Sequence, residues 1–215
     1  MYTYTHEAMD ESYTLPQSVI DASPAQYQQD LWVLQKTKMT PGFYLEIGCG
    51  DGILLNNTYL LEQHGWKGIS VDPFPMDWSR RTNPLVKTAI WDKACVTRFV
   101  RGAYLGGIEE CLGKWKTSDN LKNAEVVELT TFPIRDFLAS YKVPQTIDYL
   151  SIDTEGSEHD ILAAFPFDSH SIRLITVEHN HEEPKRTMIK ELLGRHGYVL
   201  DKSEDVEDFY VLARK

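Results

Sequence analysis

Apolar positions along the chain alternate between short strand-like runs and faces with helical spacing, the pattern of an α/β protein. The runs are Phe43–Ile47, Trp66–Val71, Leu85–Ile90, Ile147–Ile152 and Leu174–Val177. Ahead of the first run, Tyr27, Leu31, Leu34 and Lys38, with Trp32 beside them, predict an amphipathic helix over 24–38. Ser23-Pro24 would start it and Pro41-Gly42 would stop it. Ile53–His64 reads as a helix ended by Gly65, with Leu54, Leu55, Leu60 and Leu61 as its core face. Further helices are expected over Pro133–Tyr141, Glu158–Phe165 and Glu182–His196, the last closed by Gly197. Cys95–Val100 and Glu125–Thr130 read as strand pieces around a glycine-rich loop. Gly197–Asp201 and Asp208–Ala213 alternate apolar and polar residues and predict an antiparallel hairpin that closes the sheet.

Residues 1–23 are polar and tyrosine-rich, and read as an arm with little regular structure. A flap carrying Tyr2, Tyr4 and Tyr13 is the sharper alternative. In the middle loop, Tyr104 and Trp115 read as packing residues, with stacking on a sugar face as their functional alternative. The organisation expected is an arm and helix over 1–40, then one domain over 41–215.

Composition narrows the class. With 215 residues, 42% hydrophobic and 25% charged, the chain suits one globular domain. Cys49, Cys95 and Cys111 have neither metal-ligand spacing nor an even count, so no disulfide framework is expected. No signal-peptide pattern or 18-residue apolar run occurs, which predicts a protein of the cytoplasm without a membrane span. The net charge of −10 argues against a nucleic-acid partner.

The chemistry starts where the first strand ends, in Glu46-Ile47-Gly48-Cys49-Gly50-Asp51-Gly52. A strand that stops in glycines turns sharply and lets backbone approach a ligand. The spacing is G-x-G-x-G; the dinucleotide fingerprint would need a glycine where Ile53 stands, and a P-loop would need a lysine. Glu46 favours a cationic or amine-bearing ligand over a phosphate. Asp72 ends the second strand about 20 residues later, where an acid accepts ribose hydroxyls. Together these residues suit S-adenosylmethionine (SAM). Asp92, after the third strand, is placed either to accept an adenine amine or to be a solvated turn acid. Asp153 ends a buried strand and begins Asp153-Thr154-Glu155-Gly156-Ser157-Glu158. Glu155 and Glu158 are explained by a helix N-terminus, which favours acids; Asp153 is not. Glu178-His179-Asn180-His181 ends the fifth strand.

The stretches EIGCGDG, GWKGISVDPFP, and IDYLSIDTEGSEHDIL followed by ITVEHN are similar to those of FkbM-type SAM-dependent O-methyltransferases. The resemblance covers about residues 40–215. It implies a Rossmann-like class I methyltransferase fold: a seven-stranded sheet with the last strand antiparallel and helices on both faces. It implies that Glu46, Gly48 and Gly50 line the methionine side of the cofactor, with Asn57 near the same end. Asp72 would hold the ribose, and Asp153 would lie where cofactor and acceptor meet. Family members methylate hydroxyls, commonly on sugars, polyketides or other secondary metabolites, so a carbohydrate acceptor such as a deoxysugar is expected. Ser157 stands where the family often has alanine.

A sugar hydroxyl is a weak acid, so its methylation needs a base or a metal. In one scheme His179 (or His181) takes the proton. In the other, Mg²⁺ or Mn²⁺ binds Asp153 and Glu178, with His179 or Asn180 as a further ligand, and lowers the hydroxyl's pKa. Two readings from other classes stay open: a nucleic-acid or small-metabolite methyltransferase, and a non-catalytic nucleotide-binding module.

Overall fold

A computed structural model describes residues 13–102, 105–113 and 119–213. Tyr2, Tyr4, Tyr104 and Trp115 lie outside the described residues. In chain order the strands are β1 (Phe43–Ile47), β2 (Lys67–Val71), β3 (Leu85–Val86), β4 (Ala89–Trp91), β5 (Val96–Arg101) and β6 (Gly107–Ile108). There follow β7 (Glu125–Pro133), β8 (Thr146–Ile152), β9 (Ser171–Glu178), β10 (Tyr198–Glu204) and β11 (Glu207–Leu212). The helices are α1 (Gln17–Ile20), α2 (Gln29–Lys36), α3 (Tyr59–Gln63), α4 (Ile134–Ser140), α5 (Glu158–Ala164) and α6 (Lys185–Arg195).

The main sheet has seven strands in the order β10-β11-β9-β8-β1-β2-β3. Strands β3, β2, β1, β8 and β9 run parallel, while β11 pairs antiparallel with both β9 and β10. The predicted hairpin is present, but its second arm, β11, lies against β9 and its first arm, β10, forms the edge. Both faces of the sheet are covered. Leu45, Ile47, Leu150, Ile152 and Ile175 pack against Phe137 of α4, Ile161 of α5 and Leu193 of α6. Tyr44, Tyr149, Leu174 and Phe209 point the other way, toward Val19 of α1, Trp32 of α2 and Leu61 of α3. Tyr13 joins that second layer from outside. Successive side chains of β1 therefore serve opposite layers, as strand geometry requires.

Four local departures from the sequence reading have physical causes. The helix expected over 24–38 is only α2, because Ser23 Oγ donates to Asp30 Oδ1 and Ala25 bridges Leu55. Ile53–Thr58 is not helical: Asp51 Oδ1 accepts the Ile53 and Leu54 amides, and Asn56 Oδ1 those of Thr58 and Tyr59. Side chains that bind nearby amides compete with the helix in this way. Leu54 and Leu55 are consequently exposed and serve no core face. The expected third strand splits, because the Thr88 amide donates to the Val86 carbonyl in a tight turn. Strand β3 stays in the main sheet, while β4 joins a second sheet of order β4-β7-β5-β6. Within the arm, α1 is a helical turn that the sequence reading left out.

Candidate active site

The order of the sheet puts β1 at the point where the connections change direction, between β2 and β8. In such sheets ligands bind outside the strands' carboxyl ends at that point. A cavity of about 440 Å³ lies there, lined by Gly48, Gly50, Asp72, Asp153, Glu155, Glu178 and Asn180 among others. Its apolar wall includes Phe74, from the segment after β2, and Ala89, Phe99 and Ile108 of the second sheet.

The glycine turn is built by close backbone approach. The Gly48 amide donates to the Val71 carbonyl at 2.8 Å, and the Asp153 amide to the Ile47 carbonyl at 2.9 Å. Gly48 has φ +85 and faces the Asp153 carbonyl so closely that a Cβ would overlap it. Gly50 (φ +56) has open space beside it and donates its amide to Asp72 Oδ2 at 3.0 Å. Asp72 Oδ1 accepts the Phe74 amide at 2.7 Å. Burial nonetheless pushes the Asp72 carboxyl up, with these amide bonds opposing it.

Glu46 is buried, and its Oε2 accepts from Ser70 Oγ at 2.7 Å and Thr58 Oγ1 at 2.8 Å. Burial raises its pKa, and the nearby Arg81 guanidinium counteracts the shift. Arg81 is a residue that the sequence reading passed over as part of a loop. It is buried, stacks on Trp78 at 4.4 Å, and pairs with Glu62 at 2.7 Å. Its remaining N–H groups reach the Gly52 carbonyl, Asn56 Oδ1, Tyr44 Oη and Thr58 Oγ1. It thus ties the segment after β2 to the glycine turn. Asn57 is buried beside them, donates to Ser151 Oγ at 3.0 Å, and has no partner for Oδ1.

At the other end of the cavity, carboxylate oxygens of Asp153, Glu155 and Glu178 lie within 4.8 Å of one another. Asn180 Nδ2 donates to Glu178 Oε2 at 2.6 Å and to Glu155 Oε2 at 3.1 Å. All three carboxyls are held above their ordinary range, first by burial and then by neighbouring negative charge: Glu158, Glu46 and Asp72 at Asp153, Asp153 and Glu158 at Glu155, and Asp153 and Glu155 at Glu178. Glu158, in contrast, caps its own loop: Oε1 accepts the Thr154 and Gly156 amides at 2.9 Å. Of the two acids assigned to a helix N-terminus, Glu158 does that work and Glu155 faces the cavity. Its backbone is left-handed (φ +59), a conformation that spacing alone does not reveal.

His179 does not join this group. It is buried and absent from the cavity lining. Its Nδ1 accepts the His181 amide at 3.1 Å, and its Nε2 faces Asp208 Oδ1 at 3.6 Å. With Nδ1 accepting, Nε2 is the ring's donor, and it faces Asp208, which does not line the cavity. Burial of Asp208 is outweighed by His179, Arg186 and Ser203, which hold its carboxyl well below the usual range. His181 is exposed and pairs with Asp205 at 2.9 Å. Asp92 is exposed after β4 and does not line the cavity either.

Sheet order, glycine turn and the cavity at the strands' carboxyl ends define an α/β ligand-binding domain of the doubly wound kind. The family described as Methyltransferase FkbM domain matches residues 46–200, from Glu46 on β1 into β10. The chain belongs to that methyltransferase family. No curated protein matches it. Among the described residues, no helix is long and apolar enough to cross a membrane.

Proposed function

We propose that this protein transfers a methyl group from SAM to a hydroxyl oxygen of a carbohydrate. The observation that carries the reading is one cavity lined both by the Gly48–Gly50–Asp72 turn and by the Asp153–Glu155–Glu178 carboxylates. The residues fit the cofactor. Each Asp72 oxygen spends one lone pair on a backbone amide and keeps others for ribose hydroxyls. The orphaned Oδ1 of Asn57 suits an ammonium donor. Phe74, Ala89, Phe99 and Ile108 suit the adenine ring. Gly48 and Gly50, with Glu46 beneath them, would border the methionine portion, and Asp153 would lie between cofactor and acceptor. Asp92 has no part in this reading.

Bound SAM supplies an electrophilic methyl group next to a cationic sulfur. The carboxylates at the acid end favour a cation there and accept the proton of the acceptor hydroxyl. Where ionised, a carboxylate of raised proton affinity is a stronger base than a surface carboxylate. Asn180 holds two of them in place. The same three groups form an all-oxygen donor set that fits Mg²⁺ or Mn²⁺. In that second reading Asp153, Glu155 and Glu178 would hold the ion, with Glu155 in the position expected for His179, and it would acidify the hydroxyl.

Methyl transfer from SAM to hexose and deoxyhexose glycosides, with Mg²⁺ or Mn²⁺ and again with EDTA, tests both forms. Transfer lost in EDTA supports the metal; transfer that survives assigns the proton to the carboxylates alone. Thermal stabilisation by S-adenosylhomocysteine without transfer to any sugar would mean that the acceptor class is wrong. Absence of that stabilisation would favour a non-catalytic module.

A further inference from the structure

Two leucines stand at the mouth of the cavity in a conformation that the local sequence does not favour. Leu54 and Leu55 are 54% and 46% exposed, yet both line the same cavity as the acids. Large apolar side chains are ordinarily buried, and two adjacent ones in water forgo that stabilisation. Leu55 also has φ +58, a region that Gly or Asn occupies far more readily than leucine. The segment is held rather than loose. Asp51 Oδ1 fixes the Ile53 and Leu54 amides, and Asn56 Nδ2 donates to the Cys49 carbonyl. Leu55 itself bridges Ala25.

That bridge locates the pair. Two residues on, Tyr27 Oη donates to Asp205 Oδ2, and Val206 accepts the His179 amide next to Glu178. Tyr27 and Val206 line the cavity too. The leucines therefore sit on a rim continuous with the acid end. An occupant that extends from the acids along this wall of the cavity meets the leucines.

We propose that the acceptor is an amphipathic glycoside: its sugar hydroxyl enters the acid end while an apolar aglycone covers Leu54 and Leu55. This rests on the sugar-hydroxyl reading above and names the part of the acceptor that does not react. A sugar alone would leave both leucines in water.

The test compares a methyl and an n-octyl glycoside of the same hexose, below the detergent's micelle concentration, on the full chain. Two quantities are read: kcat/KM with SAM, and Kd by calorimetry with S-adenosylhomocysteine bound. The octyl glycoside is expected to bind at least about tenfold more tightly, which is about 1.4 kcal/mol. Leu54→Ser and Leu55→Asn, the latter suited to the left-handed backbone, should erase most of that ratio while the methyl glycoside's constants stay put. Equal Kd for the two glycosides overturns the proposal. So does a tail preference that survives both substitutions, since the aglycone would then lie elsewhere. Should neither glycoside be turned over, n-octanol and methanol are compared by the same Kd measurement. A Leu54- and Leu55-dependent octyl preference there keeps the apolar rim and discards only the sugar; its absence discards both.

Discussion

The α-carbon of Gly48 faces the carbonyl oxygen of Asp153 at a distance that leaves no room for a Cβ. Neither partner can retreat easily, because the Asp153 amide is bonded to Ile47 and the Gly48 amide to Val71. Gly48→Ala adds left-handed strain of about 1–2 kcal/mol to that overlap. A loss of roughly 3 kcal/mol is expected, with melting about 6–12 °C lower, and no measurable binding of S-adenosylhomocysteine. Gly50→Ala is the informative contrast. Its Cβ would meet nothing, so stability should fall by only about 1–2 kcal/mol while ligand affinity drops further, by filling the open space. Equal melting temperatures for wild type and Gly48→Ala would refute the close approach.

Arg81 links five residues of β1, the segment after it and α3 through one buried guanidinium, and both neighbouring acids depend on it. Removing it leaves Glu62 without its ion pair and Glu46 without the charge that opposes its protonation. Arg81→Met is expected to destabilise by about 3–5 kcal/mol, read from urea unfolding. Arg81→Lys should recover less than half, since an ammonium lacks the planar fork that reaches Glu62, Gly52 and Thr58 together. A near-neutral Arg81→Met would show that the acids rearrange without it.

Glu155 lines the acid end of the cavity and His179 does not. Glu155→Gln and Glu178→Gln should lower kcat by about 10²–10⁴ with affinity for S-adenosylhomocysteine nearly unchanged. His179→Ala removes a neighbour of Asp208 and no cavity group, so transfer should fall less than about tenfold while melting drops with the lost packing. A His179→Ala enzyme as impaired as Glu155→Gln would restore the histidine as base.

What the sequence made legible was the part governed by local pattern. The apolar runs fixed the strands of the main sheet, and the glycines after Ile47 with Asp72 marked its carboxyl-end crevice. Partners distant in the chain were not legible. Arg81 is defined by Tyr44, Thr58 and Glu62, none of which shares a period with it. Glu155 turns inward only because its backbone is left-handed. The helix over 53–64 failed because Asp51 and Asn56 bind amides that a helix would need, and side-chain competition of that kind hides beneath helical spacing. Asp92 and His179 were placed by strand ends alone, which give the position of a residue but not the direction of its side chain.

Asp30, which does not line the cavity, allows the pH dependence of stability to be tested at a single group. It is fully buried in α2, with Oδ1 bonded to Ser23 Oγ and the Leu31 amide, and Oδ2 without a partner. Burial raises its pKa from 3.8 to about 6, and those hydrogen bonds only partly oppose the shift. A carboxyl with a raised folded pKa binds its proton more tightly in the folded state. Its ionisation penalty is absent below pH 4, grows between pH 4 and 6, and is fully present above 6. Asp30→Asn keeps the oxygen that accepts both bonds and removes the charge. The variant should match wild type near pH 4 and exceed it above pH 6 by about 2 kcal/mol, somewhat under the roughly 3 kcal/mol that the full shift represents, because the unfolded carboxyl is already partly ionised at pH 4. Urea unfolding of both proteins from pH 4 to 8 measures the difference, in which other titrating groups cancel. A difference constant across that range would mean that Asp30 titrates normally and that water or a local opening solvates Oδ2.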